Sequence, residues 1–188
     1  MSDKPAAGAE GCTWQSAFRT MACMTTWTIK AETVAGTGTG IDDAMRQYFI
    51  EMGRRVLGRA ATEAELHSVL THDPHEDLSP PHGVFLVARS AQDELLGCAG
   101  VRMLAGASGT AELKRMFVRP AGRGAGLGRA LLLAAEESAR ALGASRIVCE
   151  TNTELTEARN LYAKHGYRET EPYEGHGNAD HWFAKALG

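Results

Sequence analysis

The chain has no basic surplus. Its 188 residues carry 20 lysines and arginines against 23 aspartates and glutamates, for a net charge of −3 and a pI of about 6.2. A nucleic-acid surface needs a concentrated positive excess, so nucleic acid is set aside as a partner. Cysteine is scarce: Cys12, Cys23, Cys98 and Cys149 are the only ones, and no two form a C-x-x-C pair. That excludes zinc and thioredoxin-like motifs of that type and gives no disulfide framework. Reduced thiols in a cytoplasmic protein are the expectation. No apolar run approaches the ~20 residues of a membrane span. Residues 1–23 lack a continuous apolar stretch of the signal-peptide kind and read as a loosely ordered extension. Residues 24–188 then form one domain without internal repeats. With 44% hydrophobic and 23% charged residues, it has the composition of a soluble globular fold.

Met24 to Val34 alternates and is rich in β-branched residues, the pattern of a strand. Apolar residues then recur at Ile41, Met45, Tyr48, Met52 and Val56, with Asp42, Arg46, Glu51 and Arg55 off the stripe, which predicts a helix. Thr62 and Glu65 fit a capping box, so a second helix starts near Thr62. THDPHEDLSPPHG reads as loop. VFLVARS, LLGCAGVRML and TAELKRMFVRP follow as strands, the last stopped by Pro120. A helix from about Gly126 to Leu142 has Leu127, Leu131, Ala134, Ser138 and Leu142 as its inner stripe and Gly143 as its terminal cap. SRIVCET is a strand. Asn152 or Thr153 caps a helix carrying Leu155, Ala158, Leu161 and Tyr162, and Gly166 ends it. YRETEPY and ADHWFAKAL close as strands. Strands in series followed by strand–helix–strand make a mixed α/β arrangement.

Before the most helix-like segment stand four alternating glycines, Gly122, Gly124, Gly126 and Gly128. Glycine disfavours helix, so bare backbone must serve something else. A strand that turns into a helix exposes that helix's first N–H groups, and the macrodipole makes this end partly positive. Glycines let the backbone approach an anion closely, and a phosphate or pyrophosphate is the simplest ligand. The Rossmann fingerprint G-x-G-x-x-G/A fails in all three registers, which end at Leu127, Arg129 and Leu131. The P-loop fails because no Gly-Lys pair follows. A loop that merely needs sharp bends is the bland alternative.

A third pattern, Arg/Gln-x-x-Gly-x-Gly/Ala, is matched by Arg123, Gly126 and Gly128. It resembles the coenzyme A pyrophosphate loop of the GNAT superfamily of N-acetyltransferases. LKRMFVRPAGRGAGLGRALL is similar to that superfamily's whole strand–loop–helix block, and Ala158, Leu161, Tyr162, Gly166 and Tyr167 match its second block. The resemblance covers residues 83–187; residues 24–70 fit only by element order. Leu155 stands where many members carry Asn, and Asn152 is out of register.

The resemblance implies a mixed, mostly antiparallel central sheet of about six to seven strands with flanking helices. It implies acetyl-coenzyme A as co-substrate, no metal, and a small-molecule amine as acceptor. A monomer and a homodimer both remain open. Arg123, Gly124, Ala125, Gly126, Leu127, Gly128 and Arg129 would cradle the pyrophosphate. The backbone of Met116, Phe117 and Val118 would pair with the pantetheine arm, and the Val118 N–H could polarise the thioester carbonyl. Tyr162 stands at the family's general-acid position; otherwise it is a buried tyrosine with a structural partner. By period two, Glu112, Lys114, Met116 and Val118 share one strand face, which makes Glu112 the candidate base. Glu150 competes with it, and a carboxylate in either place is as simply a salt-bridged one. His72 and His75 lie in a Pro-rich loop without the H-E-x-x-H order, which argues against a metal. His176 and His181 could line the acceptor side or a surface turn. Two other functions are compatible with the same blocks: acetylation of protein lysines or N-termini, and acyl-coenzyme A sensing without catalysis.

Overall fold

A computed structural model of the protein describes residues 27–32, 41–72, 76–173 and 179–188. Strand β1 (Trp27–Glu32) precedes helices α1 (Ile41–Val56) and α2 (Glu63–His72). Strands β2 (Gly83–Ser90), β3 (Leu95–Met103) and β4 (Thr110–Val118) lead to α3 (Leu127–Ala141). Then come β5 (Arg146–Thr151), α4 (Thr156–Lys164), β6 (Arg168–Thr170) and β7 (His181–Ala186). One seven-stranded sheet has the order β1-β2-β3-β4-β5-β7-β6. Every pairing is antiparallel except β4 with β5. The expected extension over 1–23 and the histidines His75 and His176 lie outside the described residues.

The sheet is covered on both faces, and β2 shows why. Leu86 and Ala88 enter one core with α3 and α4, while Phe85 and Val87 enter a second core with α1. Consecutive side chains point to opposite faces, so an unbroken apolar run feeds two layers. Leu131, Leu132 and Ile147 centre the first core; Met45, Leu78 and Phe117 mark the second. Full burial of one such side chain is worth about 1.5–3 kcal/mol. The capping box forms as the sequence predicts: Glu65 Oε2 accepts from the Thr62 N–H at 2.8 Å and the Glu65 N–H donates to Thr62 Oγ1 at 3.3 Å.

Three expectations need correction. The buried stripe of α3 runs through Leu127, Leu131, Leu132, Ala135, Glu136 and Ala139, with Ala134 and Ser138 only half-buried at its edge. The helix rolls this way because buried Glu136 is neutralised by Lys185 Nζ, 2.7 Å from both carboxylate oxygens. Neither Asn152 nor Thr153 caps α4. Its N-cap is Leu155, without a side-chain bond, and the Thr153 N–H is turned to Asp180 Oδ2 at 2.9 Å. Finally, period two does not persist along β4. Lys114 pairs with Gly100 and Phe117 with Cys98, so Arg115 and Met116 together oppose Ala99. This is a β-bulge, with Arg115 at φ 55°. Ala111 and Leu113 face the α3 core before it; Met116 and Val118 face that core after it. Glu112 and Val118 therefore point to opposite faces.

Candidate active site

The parallel pair β4–β5 holds only over Thr110–Glu112 and Arg146–Val148. The bulge bends β4 beyond that point and the two strands diverge. A cavity of about 800 Å³ occupies the gap and is lined by both strands, α1, α4 and the glycine loop. The divergence joins the two faces of the sheet. Glu112, Met116, Phe117 and Val118 all reach this cavity despite the flip.

The Arg119 N–H donates to the Leu96 carbonyl at 2.9 Å, which makes Val118 and Gly97 a pair without mutual hydrogen bonds. The Val118 N–H therefore points away from β3, toward the gap. Its carbonyl accepts from Arg123 Nε at 2.9 Å. At the end of β4 the chain makes a single 3-10 turn, Pro120–Gly122, and then enters the glycine loop. Gly124 (φ 82°) and Gly126 (φ 79°) take the left-handed conformation that L side chains avoid. Gly126 is also the N-cap of α3, and no side chain caps this end. The first N–H groups of a fifteen-residue helix thus open onto the same cavity, with Arg123 and Arg129 beside them.

Tyr162 on α4 lines the cavity from the opposite wall and is 4% exposed. Its ring packs against Tyr167 and Phe183, with centroids 5.4 and 5.6 Å away. Burial raises the phenol well above its ordinary value of 10, and the charge and hydrogen bond of Cys149 add to this. The phenol therefore keeps its proton at neutral pH, the form a general acid requires.

Glu112 is 3% exposed and tightly held. Arg102 donates to Oε2 through Nε at 2.7 Å, and the Tyr173 hydroxyl donates to Oε1 at 3.0 Å. Arg102 also pairs with Asp77. An ionised carboxylate has about four acceptor positions, so these bonds leave capacity for a further proton donor. Glu150 reaches the cavity from β5 and Asn152 from just beyond it. His181 is turned to Glu169 and Thr153, with Nδ1 2.8 Å from Glu169 Oε1. Phe117 has its side chain in the α1 core, edge-on to Tyr48 with centroids 5.9 Å apart.

Helix α1 forms the remaining wall. Glu51 Oε1 accepts from Arg123 Nη2 at 2.5 Å, and Arg55 pairs with Glu157 while donating to the Glu154 carbonyl at 2.5 Å. The Arg115 guanidinium lies 4.8 Å from the Phe49 ring centroid. Sequence reasoning missed Arg102, Tyr173, Tyr48, Glu51 and Arg55 as residues of the site. Glu51 and Arg55 carried one signal, their position together off the apolar stripe of α1. Nothing local marks Tyr173, which lies far from Glu112 in sequence, whereas Arg102 stands directly opposite Glu112 across the β3–β4 hairpin. Among the described residues, no His/Cys/Asp/Glu group could hold a metal ion and no helix is long and apolar enough to cross a membrane.

The parted parallel strands, the bulge and the uncapped helix end can be set beside known proteins. An uncharacterized N-acetyltransferase of Schizosaccharomyces pombe is 40% identical over 101 residues, covering 54% of this chain and 61% of that protein. The IAA acetyltransferase of Azospirillum brasilense is 36% identical over 102 residues, covering 54% of this chain and 65% of that one. The alignments thus span less than two thirds of either relative's length. A crystal structure of the PaiA N-acetyltransferase of Thermoplasma acidophilum in complex with coenzyme A shares the fold at 17% identity, with a TM-score of 0.61 over 85% of this chain and 99% of that one. The sequence pattern of the acetyltransferase (GNAT) family matches residues 43–167, and the chain belongs to that family of N-acetyltransferases.

Proposed function

We propose that the protein transfers the acetyl group of acetyl-coenzyme A to a primary amine of a small molecule, within a ternary complex. The observation that carries this reading is one of convergence. The uncapped N-terminus of α3, the gap-facing Val118 N–H, Tyr162 and Glu112 all meet one cavity. The coenzyme's pyrophosphate would rest on the backbone of 123–129, with Arg123 and Arg129 adding charge. Its pantetheine arm would enter the gap as a strand-like partner of Met116–Val118, filling the place that β5 leaves. The Val118 N–H would meet the thioester oxygen as negative charge develops there.

The amine nitrogen attacks the thioester carbon, the new C–N bond forms and the C–S bond breaks. The thiolate takes the Tyr162 proton. The amine gives its surplus proton to Glu112, directly or through water, with Glu150 on β5 as the alternative acceptor lining the same cavity. Holding both reactants replaces a bimolecular encounter with reaction inside one complex. The test is coenzyme A release from acetyl-coenzyme A across a panel of small amines, amino acids and peptides. Turnover of small amines above the rate of hydrolysis supports the reading. Turnover of peptides alone replaces it with protein acetylation. Tight coenzyme binding without turnover of any acceptor points to sensing.

A further inference from the structure

One helix bridges the rim of the cavity twice. Glu51 and Arg55 are four residues apart on α1, the spacing at which opposite charges on a helix pair with each other. Instead each reaches a different wall. Glu51 holds Arg123 at 2.5 Å on the glycine loop, and Arg55 holds Glu157 together with the Glu154 carbonyl at the start of α4. Glu51, Arg55, Arg123 and Glu157 all line the same cavity.

Resting on the reading of residues 123–129 as the pyrophosphate loop, we propose that Glu51 sets the coenzyme affinity, because its carboxylate holds Arg123 as a phosphate oxygen would and must be displaced when the coenzyme binds. Carboxylate and phosphate compete for the same guanidinium geometry. The exchange has a second consequence. Once Arg123 turns to the pyrophosphate, the released Glu51 carboxylate lies beside the phosphates and is repelled. Relief is offered by Arg55, four residues on along the same helix. The hydrogen bond that Arg55 donates to Glu157 comes first in holding its guanidinium above its ordinary value, and the charge of Glu51 adds to it. Arg55 can take Glu51 only by leaving Glu157. The coenzyme thus undoes both rim contacts together and frees α1. The inner side of that helix sets Tyr48 against Phe117 and Phe49 against Arg115, so the acceptor side responds to the coenzyme loop.

The Glu51 and Arg123 side chains are 28% and 47% exposed. Such a pair is weak and screened, so the effect is a few-fold one. The experiment is titration calorimetry with coenzyme A alone, at low and physiological salt. E51Q tightens binding roughly two- to fivefold at low salt, and less as salt rises. In an R123Q background E51Q has no such effect. R55Q weakens binding in the native background but not alongside E51Q. E63Q, which removes the outer partner of Arg46, leaves the affinity unchanged. An E51Q protein with unchanged or weaker affinity overturns the proposal, and so does an E51Q gain that persists undiminished in R123Q. A native protein that binds no coenzyme A overturns the pyrophosphate reading itself, which a flat E51Q response on a binding-competent protein does not.

Discussion

Replacing Gly126 with alanine separates what the loop does for the fold from what it does for a ligand. Gly126 sits at φ 79°, ψ 4°, and a Cβ built there meets no protein atom within 4 Å. The internal cost is therefore conformational, about 1–2 kcal/mol for an L residue in the left-handed region. For a domain of this size that lowers Tm by about 2–8 °C. The methyl group extends into the loop surface that lines the cavity, where a pyrophosphate would meet the first N–H groups of α3. Each charge-assisted hydrogen bond lost there is worth about 1.5–3 kcal/mol, or roughly ten- to a hundredfold in affinity. Gly143 supplies the control. It has φ 90° with nothing within 4 Å of a built Cβ, and it follows the opposite end of the same helix. Gly143→Ala should cost the same Tm and leave coenzyme binding alone. Thermal melts and calorimetry with coenzyme A on both variants make the comparison. Equal Tm losses accompanied by equal, unchanged affinities would refute the argument that Gly126 is bare for the sake of an anion.

Tyr162→Phe keeps the ring packing and deletes the proton donor; kcat on the acceptor found by the amine screen should fall about 10²–10⁴-fold with coenzyme affinity little changed, and near-native turnover would return Tyr162 to a packing role. Lys185→Met leaves the buried Glu136 without its cation and should destabilise by about 3 kcal/mol in urea unfolding, with Glu136→Gln restoring most of that; a simple additive loss in the double variant would show that the two do not act as a pair. Burial pushes the Cys98 thiol from 9.0 up to about 12 and raises Cys149, Tyr162, Tyr167 and Tyr173 as well. Each keeps its proton in the folded state when the unfolded chain has begun to lose it, so this contribution is whole below about pH 9 and drains as pH rises toward the folded values. Urea midpoints should therefore fall between pH 8 and pH 10.5, and a flat or rising midpoint would contradict the assignment.

Most of the fold was legible because its signals are local. The period of α1, the capping box at Thr62, the apolar run of β2 and Pro120 after β4 each act within a few residues, and each places an element where the structure has it. The glycine loop was legible for the same reason. The α4 cap was not: Thr153 has the right chemistry, but its N–H is turned to Asp180 and its hydroxyl to His181, at the start of the neighbouring strand β7. The stripe of α3 was misjudged by part of a turn because Glu136 is a poor core residue until Lys185, on another strand, makes it a tolerable one.

The bulge in β4 is the deeper case, since the site depends on it and no residue type announces it. A glycine at a positive φ would have been a visible mark; Arg115 is not. The conformation is instead held from outside. The Cys98 thiol reaches the Arg115 carbonyl at 3.4 Å, and the aromatic rings of α1 flank its guanidinium. A strict alternation would put Glu112 on the face of Met116 and Val118 and send it into the apolar core of α3. The extra residue turns that carboxylate toward Arg102 and Tyr173 while Met116 and Val118 stay in the core. It also parts β4 from β5, so that a backbone N–H which β5 would otherwise satisfy is left facing the cavity. One inserted residue thus produces both the polar side of the site and the gap that the proposed coenzyme arm would enter, and this is why the period-two argument that singled out Glu112 assigned it to the wrong face of the sheet.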